Sequence, residues 1–286
     1  WGIDTVLIGS YARRTGIHPG KDVDVFSKMT SLDTSVSPAG VYEGVSRVLT
    51  AHYGNRVTPR SRSLKIDFSA DGFSVDAVPA VRVDEKWAIP AKDATSWSKS
   101  TEEAWVLTDP ERLTDLTQAR NQAPTVNGQG AYVPTVKLAR QVRSHHLRDH
   151  RPGGLYIEFA CYWAFEQGAG AETFAACLHG VLQHAAGHLR DGEALIDPAL
   201  GTPYSPSLTS TEREAAASLF GSLASSASEA LNADRCKAAA LWRAILGRND
   251  RGAVFPLPEG CDETGRELTG ITAVSSRGTD EARGFG

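Results

Sequence analysis

The chain has 286 residues, 41% of them hydrophobic and 22% charged, with a formal net charge of −4. That length buries a full core and accommodates two lobes, and no apolar run approaches the ~20 residues of a membrane span, so no membrane partner is expected. The acidic balance argues against a protein that wraps nucleic acid and favours a small anionic substrate held in a local cationic pocket. Cys161, Cys177, Cys236 and Cys261 are scattered and form neither a CxxC pair nor a disulfide framework, from which a reducing cytoplasm is expected.

Thr5-Val6-Leu7-Ile8 reads as a buried strand that stops at Gly9-Ser10, and Tyr11-Ala12-Arg13-Arg14 reads as the first turn of a helix. Backbone amides at such a junction lack intrahelical partners and sit at the positive end of the dipole. Glycine lets a phosphate approach them closely, and serine adds a hydroxyl. Asp22 and Asp24 then alternate with Val23 and Val25, so both carboxylates point one way while the valines face the core. Carboxylates that close repel unless a cation lies between them, and hard divalent ions such as Mg²⁺ take such oxygen ligands. A phosphate-gripping turn beside this pair predicts phosphoryl or nucleotidyl transfer, with a third carboxylate supplied by another strand.

Residues 31–40 read as loop and 41–53 as a helix, from the spacing of Val41, Val45, Val48 and Leu49. Residues 63–68 and 73–78 alternate apolar and polar around Ala70-Asp71-Gly72, a hairpin signal. Asp76 is the preferred third carboxylate, sharing a face with Ser74. Asp67 competes from the first arm, but no further signal follows it, whereas Asp76 precedes Val78-Pro79. Ser61, Arg62 and Ser63 are weaker candidates for reaching an acceptor. Residues 83–105 read as irregular, and Trp87, Trp97 and Trp105 within them can stack a base, although packing is the commoner use.

Thr108 or Asp109 caps the next helix, with Pro110 in its first turn, and Pro124 to Gly130 reads as the passage between lobes. The rest is mostly helical. Lys137, Arg140 and Arg143 recur every third residue and face one direction; in isolation such a cluster reads as a solvated basic face. His179, His184 and His188 share one helix. The last two have metal-ligand spacing, but without a carboxylate or cysteine partner they read as surface or packing histidines. Residues 215–246 give two alanine-rich helices around Trp242, and the chain from Gly260 reads as a flexible tail.

Gly9-Ser10, Asp22-x-Asp24 and a later lone Asp76 form a pattern that resembles the polymerase-β-like nucleotidyltransferases. More narrowly, the chain is similar to the CD-NTases, bacterial relatives of cyclic GMP-AMP synthase and oligoadenylate synthetase that make cyclic oligonucleotide signals in anti-phage (CBASS) defence. The likeness extends through Trp105-Val-Leu-Thr-Asp-Pro, residues 136–143, Leu155-Tyr-Ile-Glu158, Ile196-Asp-Pro, Leu241-Trp-Arg-Ala-Ile-Leu-Gly and Phe255-Pro, and rests on their order and spacing together. It implies an α+β fold: a mixed-sheet catalytic lobe over 1–125, a helical nucleotide-binding lobe over 126–260 with the active site in the cleft between them, and a tail over 261–286. Relatives carry a helix before the first strand, so further residues are expected ahead of Trp1.

The resemblance further implies a template-independent enzyme that makes a cyclic di- or trinucleotide from ATP and other NTPs, releasing pyrophosphate. Asp22 and Asp24 are expected to bind two Mg²⁺ ions, with Mn²⁺ as a substitute. Asp76 is expected to bind only the ion that activates the acceptor hydroxyl and to serve as general base. Gly9, Ser10, Lys137 and Arg140 are expected to hold the donor triphosphate; Arg140 matches the family's usual lysine by register, keeping the charge and changing the geometry. Gly153-Gly154 stand where relatives often place a phosphate-contacting serine, leaving backbone amides to serve, and Glu158 is expected to hold the helix start. A CBASS effector reached through the product, and an E1/E2-like conjugating partner at Phe285-Gly286, complete the implied partners. Linear oligonucleotide synthesis, nucleotidylation of a small molecule or protein, and a non-catalytic nucleotide-binding module are the alternatives.

Overall fold

A computed structural model describes residues 2–20, 22–92, 94–98, 101–147, 151–170 and 172–268. The chain begins with β1 (Ile3–Ile8), the single turn α1 (Gly9–Ala12), β2 (Asp22–Asp33) and α2 (Pro38–Tyr53). Next come β3 (Val57–Pro59), β4 (Leu64–Phe68), β5 (Phe73–Val83), β6 (Lys86–Pro90), α3 (Thr101–Ala104), β7 (Trp105–Thr108) and α4 (Pro110–Arg120). Among the described residues β1 to β7 form one mixed sheet, ordered β1-β2-β5-β4-β3, with β6 joining β5 to β7. β2 and β5 run parallel, whereas β1 pairs with β2 and β4 with β5 antiparallel.

The local chemistry explains these elements. In β4, Leu64 and Ile66 are buried while Lys65 and Asp67 face outward, the period of two that a half-buried strand requires. Ser37 accepts from the Gly40 amide and Pro38 occupies the first turn of α2; Asp109 accepts from Arg112 and Pro110 does the same for α4. α2 buries Val41, Tyr42 and Val45 against Met29, Leu64, Ala77 and Val81 of the sheet. Two stretches differ from the sequence reading. β2 continues to Asp33 through an irregularity in its pairing with β5, and residues 83–105 contain β6 because Trp87 and Ile89 find partners on β7. The tryptophans there serve packing: Trp105 is buried, Trp97 packs on Tyr42 and donates to the Ala91 carbonyl, and Trp87 meets Phe26 edge-on.

The second lobe opens with a two-residue hairpin, β8 (Thr125–Val126) and β9 (Gln129–Gly130), turned at Asn127-Gly128, both with positive φ. It continues with α5 (Tyr132–His146), α6 (Gly154–Glu166), α7 (Phe174–Asp191), β10 (Leu195–Ile196), β11 (Pro203–Tyr204), α8 (Ser210–Asn232), α9 (Arg235–Leu246), β12 (Arg248–Asn249) and β13 (Gly252–Ala253). Its helices close on a core of their own, including Tyr156, Phe159, Leu182, Leu189, Phe220 and Ile245. Trp242 is buried there, as expected. His184 and His188 lie ring to ring at 4.5 Å on α7. Burial, with some help from His188, pushes the His184 imidazole down to about 4. A histidine held below its unfolded value of about 6.5 binds its proton more readily in the unfolded chain, so folded stability is expected to fall by about 1 kcal/mol as pH drops from 6.5 to 4. Urea titrations of the protein and of H184Q across that window check this; the variant is expected to flatten the slope.

The cysteine reading is corrected at one pair. Cys236 on α9 and Cys261 are disulfide-bonded, with Cα atoms 5.2 Å apart. Their separation hid the pair from a search for closely spaced motifs, and the argument for a reducing cytoplasm loses that support. Residues 261–268, expected to begin the tail, instead lie against α9: Cys261 bridges to Glu267, and Arg243 pairs with Glu263 at 3.3 Å. Phe285-Gly286 lie outside the described residues. Closing a loop over a separation of 25 residues is expected to stabilise the fold by roughly 3 kcal/mol, so dithiothreitol or C261S lowers the unfolding midpoint. Among the described residues no helix is long and apolar enough to cross a membrane.

Candidate active site

The sheet pairing brings the acidic residues together. In the parallel β2–β5 ladder Asp22 stands opposite Ser74 and Asp24 opposite Asp76, so three carboxylates and a hydroxyl project from neighbouring positions on one face. Ser74 donates to Asp22, Ser63 donates to Asp76 at 2.8 Å, and the Lys65 ammonium lies 3.5 Å from Asp22. Burial holds the Asp24 carboxyl above the usual carboxylate range, and the Asp76 charge adds to this. Arg13 opposes both, with lesser contributions up from Asp22 and down from Arg140. Asp67, the competing third carboxylate, sits opposite Ser74 on the far side of β5 and lines the cleft away from Asp24.

Gly9 has φ +70°, a conformation glycine adopts without cost, and the Asp24 carboxylate rests against it. A Cβ at Gly9 would overlap Asp24 Oδ2 and come within 2.8 Å of Cγ. The helix expected after Ser10 is only one turn. The chain curls back so that the Thr15 and Gly16 amides donate to the Ser10 carbonyl, and anion affinity here belongs to the turn's amides and hydroxyl rather than to a long helix dipole.

Among the cavities beside this turn, two share a wall. One of about 530 Å³ is lined by Ser10, Asp22, Lys65, Asp67, Ser74 and Ser144; the other, of about 400 Å³, by Gly9, Ser10, Asp24, Asp109, Gly154 and Asp197. Arg140 from α5 lines both. Lys137 is exposed on α5 and lines neither, since it lies one turn before Arg140 and about 60° around the helix from it. Gly154 opens α6 at the mouth of the smaller chamber. Glu158, expected to hold that helix start, is instead buried and accepts from Arg13, Thr15 and Arg140.

Residues 3–121 match the sequence profile of the Second Messenger Oligonucleotide or Dinucleotide Synthetase domain, a span that contains Gly9, Ser10 and all three carboxylates. Over that span the chain is similar to this family of second-messenger nucleotide synthetases. Solved structures share the fold of this chain. Escherichia coli MS115-1 CdnC with ATP superposes with a TM-score of 0.67 at 16% identity, over 85% of this chain and 82% of that one. Bradyrhizobium diazoefficiens CD-NTase CdnG in complex with GTP gives 0.64 at 14%, over 80% and 79%. Vibrio cholerae DncV cyclic AMP-GMP synthase gives 0.65 at 14%, over 86% and 68%. No curated protein matches the sequence.

The candidate site includes residues that sequence reasoning passed over. Lys65 was legible, since it alternates with buried Leu64 and Ile66 and must share a face with Asp76, its partner in the β4–β5 ladder. Arg13 and Glu158 were not, because they meet only when the lobes pack. Of the serines near the hairpin, Ser63 reaches Asp76; Arg62 is half-buried near Tyr204 of the second lobe, and that burial lowers its guanidinium below the usual range.

The donor set fits a divalent cation. Its oxygens are hard donors in a cluster where burial, and after it the Asp76 charge, raises Asp24, and the Gly9 cradle leaves room for the Asp24 carboxylate. Among the described residues no three His, Cys, Asp or Glu side chains are drawn into a ready-made cage. Mg²⁺ does not require one, since it commonly keeps several waters and takes one or two carboxylates together with substrate phosphates.

Proposed function

We propose that this protein is a template-independent nucleotidyltransferase that joins NTPs, ATP among them, into a cyclic di- or trinucleotide signal with release of pyrophosphate. The observation that carries the reading is the pairing of Asp24 with Asp76 across β2 and β5, directly beside the Gly9-Ser10 turn. Asp22, Asp24 and Asp76 would hold two Mg²⁺ ions, or Mn²⁺, which when bound supply charge neutralisation and polarise the reacting oxygens. Asp76, steadied by Ser63, accepts the proton of the acceptor ribose hydroxyl. Gly9, Ser10 and Arg140 bind and orient the donor triphosphate, with the amides at Gly153-Gly154 adding to the grip. Lys137, exposed on the same helix, would join them only through its long side chain. Ser10 and Arg140 border both chambers, which supports occupation by two nucleotides at once and return of a linear intermediate for ring closure.

The signal would serve anti-phage CBASS defence through an effector that binds it, in the cytoplasm, where NTPs and Mg²⁺ are supplied. The C-terminal Phe285-Gly286 would be the substrate of an E1/E2-like partner; deleting them is then expected to abolish conjugates in cells that carry such a partner. The deciding experiment incubates the protein and Mg²⁺ with labelled NTPs, singly and in pairs, followed by mass analysis. Phosphatase-resistant cyclic products are expected. Phosphatase-sensitive linear chains, or label on a small molecule or protein, would replace the cyclic reading, and unconsumed NTPs would indicate a binding module.

A further inference from the structure

We propose that Glu158 is a positioning residue, one that aims Arg140 at the substrate phosphates and ties the Gly9-Ser10 turn to the helical lobe; this rests on the nucleotidyltransferase reading above. Glu158 is 4% exposed, on α6 one turn beyond Gly154. Its Oε1 accepts from Arg140 Nη1 at 2.7 Å and from Thr15 Oγ1 at 3.1 Å, and its Oε2 accepts from Arg13 Nε at 2.8 Å. Its main-chain carbonyl accepts from the buried Tyr132 hydroxyl at 3.2 Å. Arg13 and Thr15 are 7% and 0% exposed, and they lie just beyond Ser10 in the segment whose amides fold back onto the Ser10 carbonyl.

A buried carboxylate persists only where its charge is met, and here two guanidiniums meet one acid, leaving the trio with a net positive charge beside the aspartates. Arg140 is thereby held by one terminal nitrogen. The other lies beside Gly154, 3.4 Å from where a Cβ would stand, at the wall of the smaller chamber. Arg140 Nε is buried and unpartnered among the described residues, so Glu158 is the contact that sets the direction of this side chain. A guanidinium held at one corner and open at another suits a polyphosphate oxygen in a way that a freely rotating lysine does not.

A double-mutant cycle on the full chain tests this, with E158Q, R140K and the pair. Two readouts are used: KM and kcat for NTP, and calorimetric binding of inorganic triphosphate with Mg²⁺. Loss of a charge-assisted contact predicts about tenfold weaker triphosphate binding and a KM about tenfold higher in E158Q, with kcat within about threefold. The pair is expected to be no worse than its weaker member. If E158Q fails to fold, E158D replaces it, retaining the charge but withdrawing it by one methylene, and the same pattern is expected. Additive losses, or unchanged triphosphate binding in a folded Glu158 variant, overturn the proposal. A wild-type protein that turns over no NTP yet shows the coupled loss of triphosphate binding rejects the function proposed above and leaves the role of Glu158 standing.

Discussion

Replacing Asp24 by asparagine is expected to abolish product formation while making the protein more stable. Asp24 lies against Gly9, opposite Asp76 and two residues from Asp22, and burial with the Asp76 charge already holds its carboxyl above the normal range. At neutral pH the folded state therefore carries an unfavourable charge that the unfolded chain does not feel, and an isosteric amide removes it. The unfolding midpoint of D24N is expected to rise by about 2 °C or more in the absence of divalent ions, while turnover falls by about 10³-fold or more. Mg²⁺ supplies a further check: added ion is expected to raise the midpoint of the wild type and to do so less for D24N. A D24N protein with wild-type turnover would remove the carboxylates from the chemistry altogether.

The second large effect is expected from the smallest side chain in the site. G9A places a methyl group where Asp24 Oδ2 sits and forces an L-residue into a φ of +70°. Either the turn opens or the carboxylate is displaced. Backbone strain of this kind costs about 1–3 kcal/mol, and a displacement on the order of 1 Å is enough to lower turnover by about 10²-fold. Denaturant titration and steady-state rates on G9A measure both. G54A, at a glycine with φ +61° but open space around it, controls for strain alone: it is expected to lose stability and keep turnover, because Gly54 follows the end of α2 and lines neither chamber.

The contrast between these glycines shows which parts of the molecule the sequence made legible. Period-two alternation placed Asp22 with Asp24 on one face of their strand and Asp76 with Ser74 on one face of theirs, and the β2–β5 register sets Asp24 opposite Asp76. A cap and a proline marked the start of α4, and apolar spacing marked the body of α2, for the same reason: each signal concerns residues within a few positions of one another. What stayed hidden was long-range. Glu158 and Arg13 are 145 residues apart, and no local rule distinguishes a glutamate that holds a helix start from one that accepts two guanidiniums from other elements. Cys236 and Cys261 were missed for a similar reason, since an isolated pair in a chain of this size has no framework to announce it. Lys137 was grouped with Arg140 by spacing, but a basic stripe drifts around its helix, and only the packing of α5 decides which member enters the cleft.

Parallel strands cannot be joined by a tight turn, and between the partners Asp24 and Asp76 the chain must first lay down α2 and the β3–β4 hairpin. The acidic cluster is thus absent from every fragment that ends ahead of β5, and during synthesis it assembles only after the intervening layer has docked. High-affinity uptake of a divalent ion would consequently report completion of the central sheet, making ion titration a reporter of folding as well as of catalysis.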